Sequence, residues 1–182
     1  MKPPALPLHH LVISALGPSH INIVEELART AFQCSCHITD SRMSILGQEF
    51  AMIVLISGNW SSIAKLEAAL PAFQDRLNIQ LLVKRTQPRA VDIPLIPYSV
   101  QVISVDRAGI LLEIAEFFAT SGIMLEDLHT EHYLAQRTLT PMFALNMLVN
   151  IPEKTHLSSL RERFMLYCED RNLDAFMEPL KG

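Results

Sequence analysis

Residues 98–123 read YSVQVISVDRAGILLEIAEFFATSGI, and this stretch predicts a strand, a short loop and a helix in that order. Tyr98–Val105 is the strand, and DRAG at 106–109 is the loop. Apolar residues then recur at helical spacing, and Gly122 is placed to end the helix as a left-handed cap. This helical stripe consists of Ile110, Ile114, Phe117 and Phe118.

The rest of the second half predicts two strands, a helix and a last strand. Apolar residues alternate at 143, 145, 147 and 149, which places them on one face of a strand. The predicted elements are strands Ile123–Tyr133 and Met142–Ile151, a helix marked by Leu157, Leu160, Phe164 and Cys168, and strand Leu173–Met177.

The first half predicts the same order of elements. Its strands are Leu8–Leu16, Cys36–Leu46, Glu49–Ser57 and Ile79–Arg85, and its helices run from Asn22 to about Cys34 and from about Asn59 to Phe73. The first helix is expected to turn Val24, Leu27, Ala28, Ala31 and Phe32 toward one face, and the second to turn Trp60, Ile63, Leu66 and Leu70 inward. Asn22 and Glu25 have the spacing of a capping box, and Pro71 is expected to end or kink the second helix.

The repeated order predicts an α+β protein with two ferredoxin-like βαββαβ domains in tandem. The proline-rich segment 88–97 is predicted to be a linker between a first domain at 1–87 and a second at 98–182. Helices cover one face of each antiparallel sheet, so the bare faces and edges are expected to pack on each other or on a second copy of the chain.

Composition excludes several classes of protein. The chain has 182 residues, 15 basic and 19 acidic, and 49% of its residues are hydrophobic, which argues against disorder and against a basic nucleic-acid surface. Residues 91–182 carry seven basic and thirteen acidic residues and are expected to repel phosphates. An odd number of cysteines argues against a disulfide scaffold. With no signal peptide or membrane span predicted, the chain is expected to be cytoplasmic.

Metal-dependent and nucleophilic chemistry are disfavoured by spacing. The spacing of Cys34, Cys36 and His37 is not one of the usual spacings of zinc ligands. Even with His9 and His10, no second cluster completes a set of four ligands. His129 and His132 would face opposite sides of a strand, so they and Glu126-Asp127 are expected to be solvent-facing or edge polar residues. No metal, cofactor or catalytic residue is predicted.

The loop before the helix at 110 is the candidate binding site. Free amides and the helix dipole favour an anion at a helix N-terminus, and Gly109 lets a carboxylate approach the backbone. The candidate residues are Asp106, Arg107, Ala108, Gly109, Ile110 and Leu111. The alternative is a plain turn, since Asp and Gly are both common in turns.

Residues 106–110, DRAGI, between the first strand and first helix of a βαββαβ unit, resemble the loop of the amino-acid-binding ACT domain family. That family's loop is usually Asp-Arg-Pro-Gly-Ile, so Ala108 stands in the proline position. In the first half Ser19, His20, Ile21 and Asn22 stand at the matching positions, which puts a ligand site there in doubt.

Residues 34–60 carry Asp40-Ser41-Arg42, then Leu46-Gly47 and Glu49-Phe50, then Ser57-Gly58 and Trp60. This combination resembles the glycine cleavage system transcriptional repressor family, whose proteins have two ACT domains. The resemblance implies a repressor without a helix-turn-helix. It would act through a DNA-bound LysR-type activator of the glycine cleavage operon, with glycine relieving repression.

The resemblance also implies roles for individual residues. Gly109 would admit the ligand and the amides of about 107–111 would hold its carboxylate, while Asp106 would orient the loop or take the ammonium group. Arg107 would reach the carboxylate or stay solvated. Asp40, Ser41 and Arg42 are candidates for a partner or domain interface.

Two other functions are alternatives to a sensing repressor. One is a ligand-independent interaction protein with decayed sites, and the other is an acylphosphatase-like enzyme using Arg107 and Asn146.

Overall fold

A computed structural model describes residues 8–19, 22–88 and 94–180. The chain divides into two compact units, residues 1–89 and 90–182, each with its own hydrophobic core. The first contains β1 (His9–Pro18), α1 (Ile23–Gln33), β2 (His37–Leu46), β3 (Glu49–Gly58), α2 (Trp60–Leu77) and β4 (Gln80–Thr86). The second contains β5 (Leu95–Val105), α3 (Ile110–Thr120), β6 (Met124–Leu134), β7 (Pro141–Pro152), α4 (Leu157–Glu169) and β8 (Asp174–Pro179).

Each unit has one four-stranded antiparallel sheet, in the order β2-β3-β1-β4 or β6-β7-β5-β8. The predicted βαββαβ order of both halves is therefore confirmed. Burial alternates along the central strands, so one sheet face packs against the two helices and the other does not. In β7 the residues facing the helices are Phe143, Leu145, Met147 and Val149, as their alternation predicts.

The same irregularity occurs in the second strand of each unit. The pairing register shifts between Ile38 and Asp40 in β2 and between Leu125 and Asp127 in β6, as at a β-bulge. In both places the aspartate Oδ1 accepts a hydrogen bond from the next backbone amide. The donors are Ser41, at 2.8 Å, and Leu128, at 3.0 Å.

Part of the segment predicted as a linker belongs to a strand. Strand β5 begins at Leu95, so the last three residues of 88–97 belong to a strand, and 89–93 lie outside the described residues. Pro97 fits there because β5 pairs on both sides only from Tyr98 onward, where Tyr98 faces Val149 of β7 and Pro179 of β8.

Helix α2 continues past Pro71 to Leu77, so the prediction that it ends near Phe73 is wrong. An interior proline costs about 3 kcal/mol. The flanking Leu70 and Phe73 are both almost fully buried, and burial of such side chains stabilises by about 1.5–3 kcal/mol each. Packing on both sides of the proline therefore outweighs its local cost.

Trp60, predicted to face inward, is 62% exposed because Asn59 caps the helix and leaves Trp60 at its outer first turn.

The inward stripe of α1 also differs from the prediction. Ile23, Leu27 and Ala31 are buried, whereas Val24 and Phe32 are exposed. The true stripe runs at four-residue spacing from Ile23, one residue before the predicted start. Asn22 makes no side-chain cap, so the predicted capping box is wrong. Its partner Glu25 is paired with Arg29 on the next turn instead.

Candidate functional site

The six predicted site residues lie where β5 ends and α3 begins. Asp106 and Arg107 follow the last residue of the strand, and Ala108 and Gly109 form a turn. Ile110 starts the helix and is buried, whereas Leu111 is 41% exposed. The buried Ile110 holds the helix to the core, so the loop is anchored at both ends. The structure therefore brings the loop residues together as a strand-to-helix connection.

Gly109 has a backbone conformation that favours glycine. Its φ of +95° and ψ of −7° are in the left-handed region, where a side chain is strained. The carbonyl of Gly109 accepts the first helical hydrogen bond, from the Glu113 amide at 3.0 Å. No side chain caps α3, so the amides of its first turn point outward from the helix end. Such amides and the helix dipole favour a bound anion.

The space beside Gly109 is open except for one carboxylate. A Cβ built on Gly109 would lie 3.9 Å from Glu113 Oε1. Among the described residues, and apart from the chain neighbours and the helix backbone, no other heavy atom comes within 4 Å of that position. Only the end of a flexible side chain therefore restricts access to this part of the loop.

Arg107 forms a two-pronged ion pair with Glu113. Its two terminal nitrogens lie 2.7 Å from Glu113 Oε1 and Oε2, the fork geometry in which guanidinium and carboxylate pair best. Arg171 adds a second cation, with Nε 3.8 Å from Glu113 Oε2. Hydrogen bonding from Arg107 lowers the pKa of Glu113 and raises that of Arg107 itself. The loop arginine is therefore paired with a residue of the helix that follows it, while 40% of its side chain stays exposed to solvent.

Asp106 is held by its backbone and its side chain. Its amide donates to the carbonyl of Pro141 at 2.9 Å. Its Oδ2 lies 3.2 Å from Nδ1 of His132 in β6, and that imidazole also meets the ring of Phe143 edge-on. His132 therefore faces the helix side of the sheet, next to the loop. His129 is opposite Asn146 and faces the other side, as predicted.

The described residues of the matching loop in the first unit differ from those of the second. Asn22 occupies the position of Gly109 but has a φ of −107°, so the backbone enters α1 differently. Gly17 is required for packing, because a Cβ there would lie 2.8 Å from Ile79 Cγ2 and 3.0 Å from its Cα. Ser19 is described, whereas the predicted loop residues His20 and Ile21 lie outside the described residues.

The predicted interface residues Asp40, Ser41 and Arg42 lie on the edge strand β2, all of whose residues are exposed. Arg42 donates from one terminal nitrogen to Asp40 Oδ1 at 2.5 Å and to the Ser41 carbonyl at 3.0 Å. The ion pair is exposed, so it contributes only about 0–1 kcal/mol. The charges of Asp40 and Arg42 compensate each other, so this part of the edge strand is polar but has no net charge.

Other candidate chemistry does not assemble. In residues 8–19, 22–88 and 94–180, no three metal-ligating side chains come together, and all three cysteines are free. Asn146 lies on the sheet face away from the helices, whereas Arg107 is bound to α3, so the pair needed for an acylphosphatase-like site is not formed. None of the helices in the described parts of the chain has both the length and the apolar composition of a membrane span.

Residues 9–84, most of the first unit, match the ACT domain family. The second unit repeats the same βαββαβ order, so both units have the fold of the matched domain. It is 29% identical, over 90% of its length and 86% of the relative, to the glycine cleavage system transcriptional repressor of Escherichia coli (strain K12). The repressor of Shigella flexneri matches equally well. The chain is therefore similar to this repressor over nearly its whole length.

Two crystal structures are similar to the whole chain. One is of a protein provisionally assigned as a glycine cleavage system transcriptional repressor, with a TM-score of 0.72 and 27% identity over 96% of this chain and 99% of the other. The second is of an unknown protein from Galdieria sulphuraria, with a TM-score of 0.77 and 23% identity over 96% of this chain and 100% of the other. The second comparison concerns the fold only.

Sequence reasoning missed two residues at the loop. Glu113 follows Gly109 by one helical turn, and acidic residues are common in the first turn of a helix because they interact favourably with its dipole. That general preference explains a glutamate at this position without any contact to Arg107. His132 reaches Asp106 only through the β6–β7 pairing that brings it opposite Phe143. Neither contact follows from local spacing, because Arg107 lies before the helix, six residues from Glu113, and the His132 contact depends on the sheet register.

Proposed function

We propose that this protein is a cytoplasmic, glycine-sensing repressor of the glycine cleavage operon that acts through a DNA-bound LysR-type activator and does not itself bind DNA. The observation that carries the proposal is the similarity to the glycine cleavage system transcriptional repressor over 90% of the chain. That similarity favours a regulatory rather than a catalytic role. The bare sheet faces favour a homo-oligomer as the working form.

The ligand site of the proposal is the loop from Asp106 to Leu111. Outward amides at the start of α3 bind the glycine carboxylate, and the positive φ of Gly109 sets their direction. Asp106, held in place by His132 and Pro141, lies at the same loop and is the group that takes the ammonium. If glycine relieves repression, the glycine-bound protein must bind its partner less tightly than the glycine-free protein does. By the same coupling, partner binding lowers the affinity for glycine.

Action without DNA contact is supported by the charges. Four arginines in the described part of the first unit, Arg29, Arg42, Arg76 and Arg85, are all paired with carboxylates. The second half has an excess of acidic residues. Phosphate binding requires a cluster of free cations. Paired arginines in the first unit and an acidic second half therefore favour a protein partner over DNA.

A second function is favoured by the Arg107–Glu113 pair. Because the loop already satisfies its own arginine, the chain also fits an interaction protein that represses without any ligand. The two candidates differ in one measurable property, which is whether an amino acid binds.

Calorimetric titration of the purified protein with glycine, L-alanine and L-leucine distinguishes them. We expect glycine to bind and Gly109→Ala to abolish binding, because a side chain at φ +95° changes the direction of the amides. Gly122→Ala is the matched control. It has a similar positive φ of +69° and open space around it, but lies at the other end of α3, so it should bind as the parent does. Absence of heat with all three amino acids would favour the ligand-independent function.

A further inference from the structure

A carboxylate of the chain itself lies beside the proposed carboxylate site. Glu113 extends back from the first turn of α3 toward Gly109, and its Oε1 is the atom nearest to the open position there. Both of its oxygens bind Arg107 at 2.7 Å. A ligand carboxylate arriving at the same amides would meet a like charge at close range, which is unfavourable in a partly desolvated site.

The cations around Glu113 hold it in this position. Arg107 supplies two hydrogen bonds, and Arg171 lies 3.8 Å away. Arg171 is itself fixed, because its guanidinium stacks 3.6 Å from the ring centroid of Tyr167 and donates to the Tyr167 carbonyl at 3.1 Å. A carboxylate that replaced Glu113 would therefore find two positioned guanidinium groups.

Glu113 can leave without unfolding its helix. Its backbone amide binds Gly109 and its backbone carbonyl accepts from the Tyr167 hydroxyl at 3.0 Å, and neither contact involves the carboxylate. The side chain is 28% exposed, so a rotation into solvent is open to it. Among the contacts described for this carboxylate, such a rotation has to break the ion pairs with Arg107 and Arg171.

We propose that the Glu113 carboxylate is an internal occupant of the carboxylate site, which an amino-acid ligand must displace from Arg107 before it binds. This inference rests on the proposed function and concerns the same site. Displacement exchanges one guanidinium–carboxylate pair for another, so little free energy is gained from Arg107. The apparent affinity is the intrinsic affinity reduced by the fraction of molecules in which Glu113 has left. Glu113 thereby sets the ligand concentration at which the protein responds.

The test is the glycine affinity of Glu113→Gln by calorimetry, with Glu116→Gln as the matched control. Both variants remove one negative charge from α3, but Glu116 is exposed and no ion pair with Arg107 involves it. We expect Glu113→Gln to bind glycine about two- to fivefold more tightly, which corresponds to an exposed pair worth up to about 1 kcal/mol. Glu116→Gln should bind as the parent does. Glu113→Ala should show the same tightening if Gln fails to fold.

Each outcome decides the question. Tighter binding by both Glu113 variants, or binding by them where the parent shows none, supports the inference. An affinity equal to that of a glycine-binding parent overturns the inference alone, as does an equal tightening in Glu116→Gln. Weaker binding also overturns it and would mean that Glu113 holds the ligand ammonium. If neither the parent nor any variant binds glycine, the proposed function fails together with the inference.

Discussion

Gly109 and Asn22 occupy the same position in the two units and show how much one residue determines. Glycine reaches a φ of +95°, whereas asparagine enters its helix at −107°. The sequence allowed this difference to be anticipated, because the loop motif ends in glycine only in the second half. The ion pair that fills the second loop was not anticipated, because Glu113 has an ordinary reason to be at a helix start.

The three cysteines should differ in reactivity according to their surroundings. Cys168 is almost fully buried, and desolvation raises the pKa of its thiol to about 11. Burial also raises the pKa of Cys36, whereas Cys34 is only partly buried. Since the thiolate is the reactive form, we expect one fast-reacting thiol at pH 8 and two that react only on unfolding.

Titration with a coloured disulfide reagent measures these rates. Cys34→Ser should remove the fast phase and leave the slow one. Equal rates for all three thiols in the native protein would contradict the prediction.

At the scale of an element, both units end their first helix with a residue of positive φ. Gly122 does so at +69°, as its position predicted, and Ser35 does so at +57°. A non-glycine residue in this region costs free energy, because its Cβ crowds the backbone. The first helix therefore ends in a strained conformation where the second does not.

Ser35→Gly should stabilise the protein by about 0.5–1 kcal/mol, since glycine adopts this conformation without the steric cost. The Ser35 backbone amide, which donates to Phe32 at 2.9 Å, is retained in the variant. Urea denaturation followed by circular dichroism measures the change. The reverse change, Gly122→Ser, is the matched control and should destabilise by a similar amount. A midpoint that falls in Ser35→Gly would disprove the strain argument.

For the whole molecule, the order of elements was predictable because strand and helix periods are local properties of the sequence. The errors in α1, α2 and the linker came from long-range effects. Core packing carries α2 through Pro71, and the sheet pairing of β5 takes up the last part of the linker. The pairing register and the contact between His132 and Asp106 also required the assembled sheet.

Charge distribution leads to a prediction about DNA. At about 0.15 M salt, where weak phosphate contacts are screened, the purified protein should not shift glycine cleavage operator DNA in a gel. With a LysR-type activator bound to the same DNA, we expect a further shift that glycine reduces. A scrambled DNA of equal length is the control. A shift specific for the operator without any activator would contradict the prediction.

The repeated bulge has a consequence for the history of the chain. The same spacing in sequence separates Asn22 from Gly109 and Asp40 from Asp127, and both aspartates bind the next amide in the same way. A local irregularity shared at one position, between halves whose loops have diverged, is best explained by descent from one ancestral unit through gene duplication. The bulge then predates the duplication, and the glycine loop was lost or gained in one copy afterwards. Homologous single-unit proteins should therefore carry the bulge whether or not they carry the loop glycine.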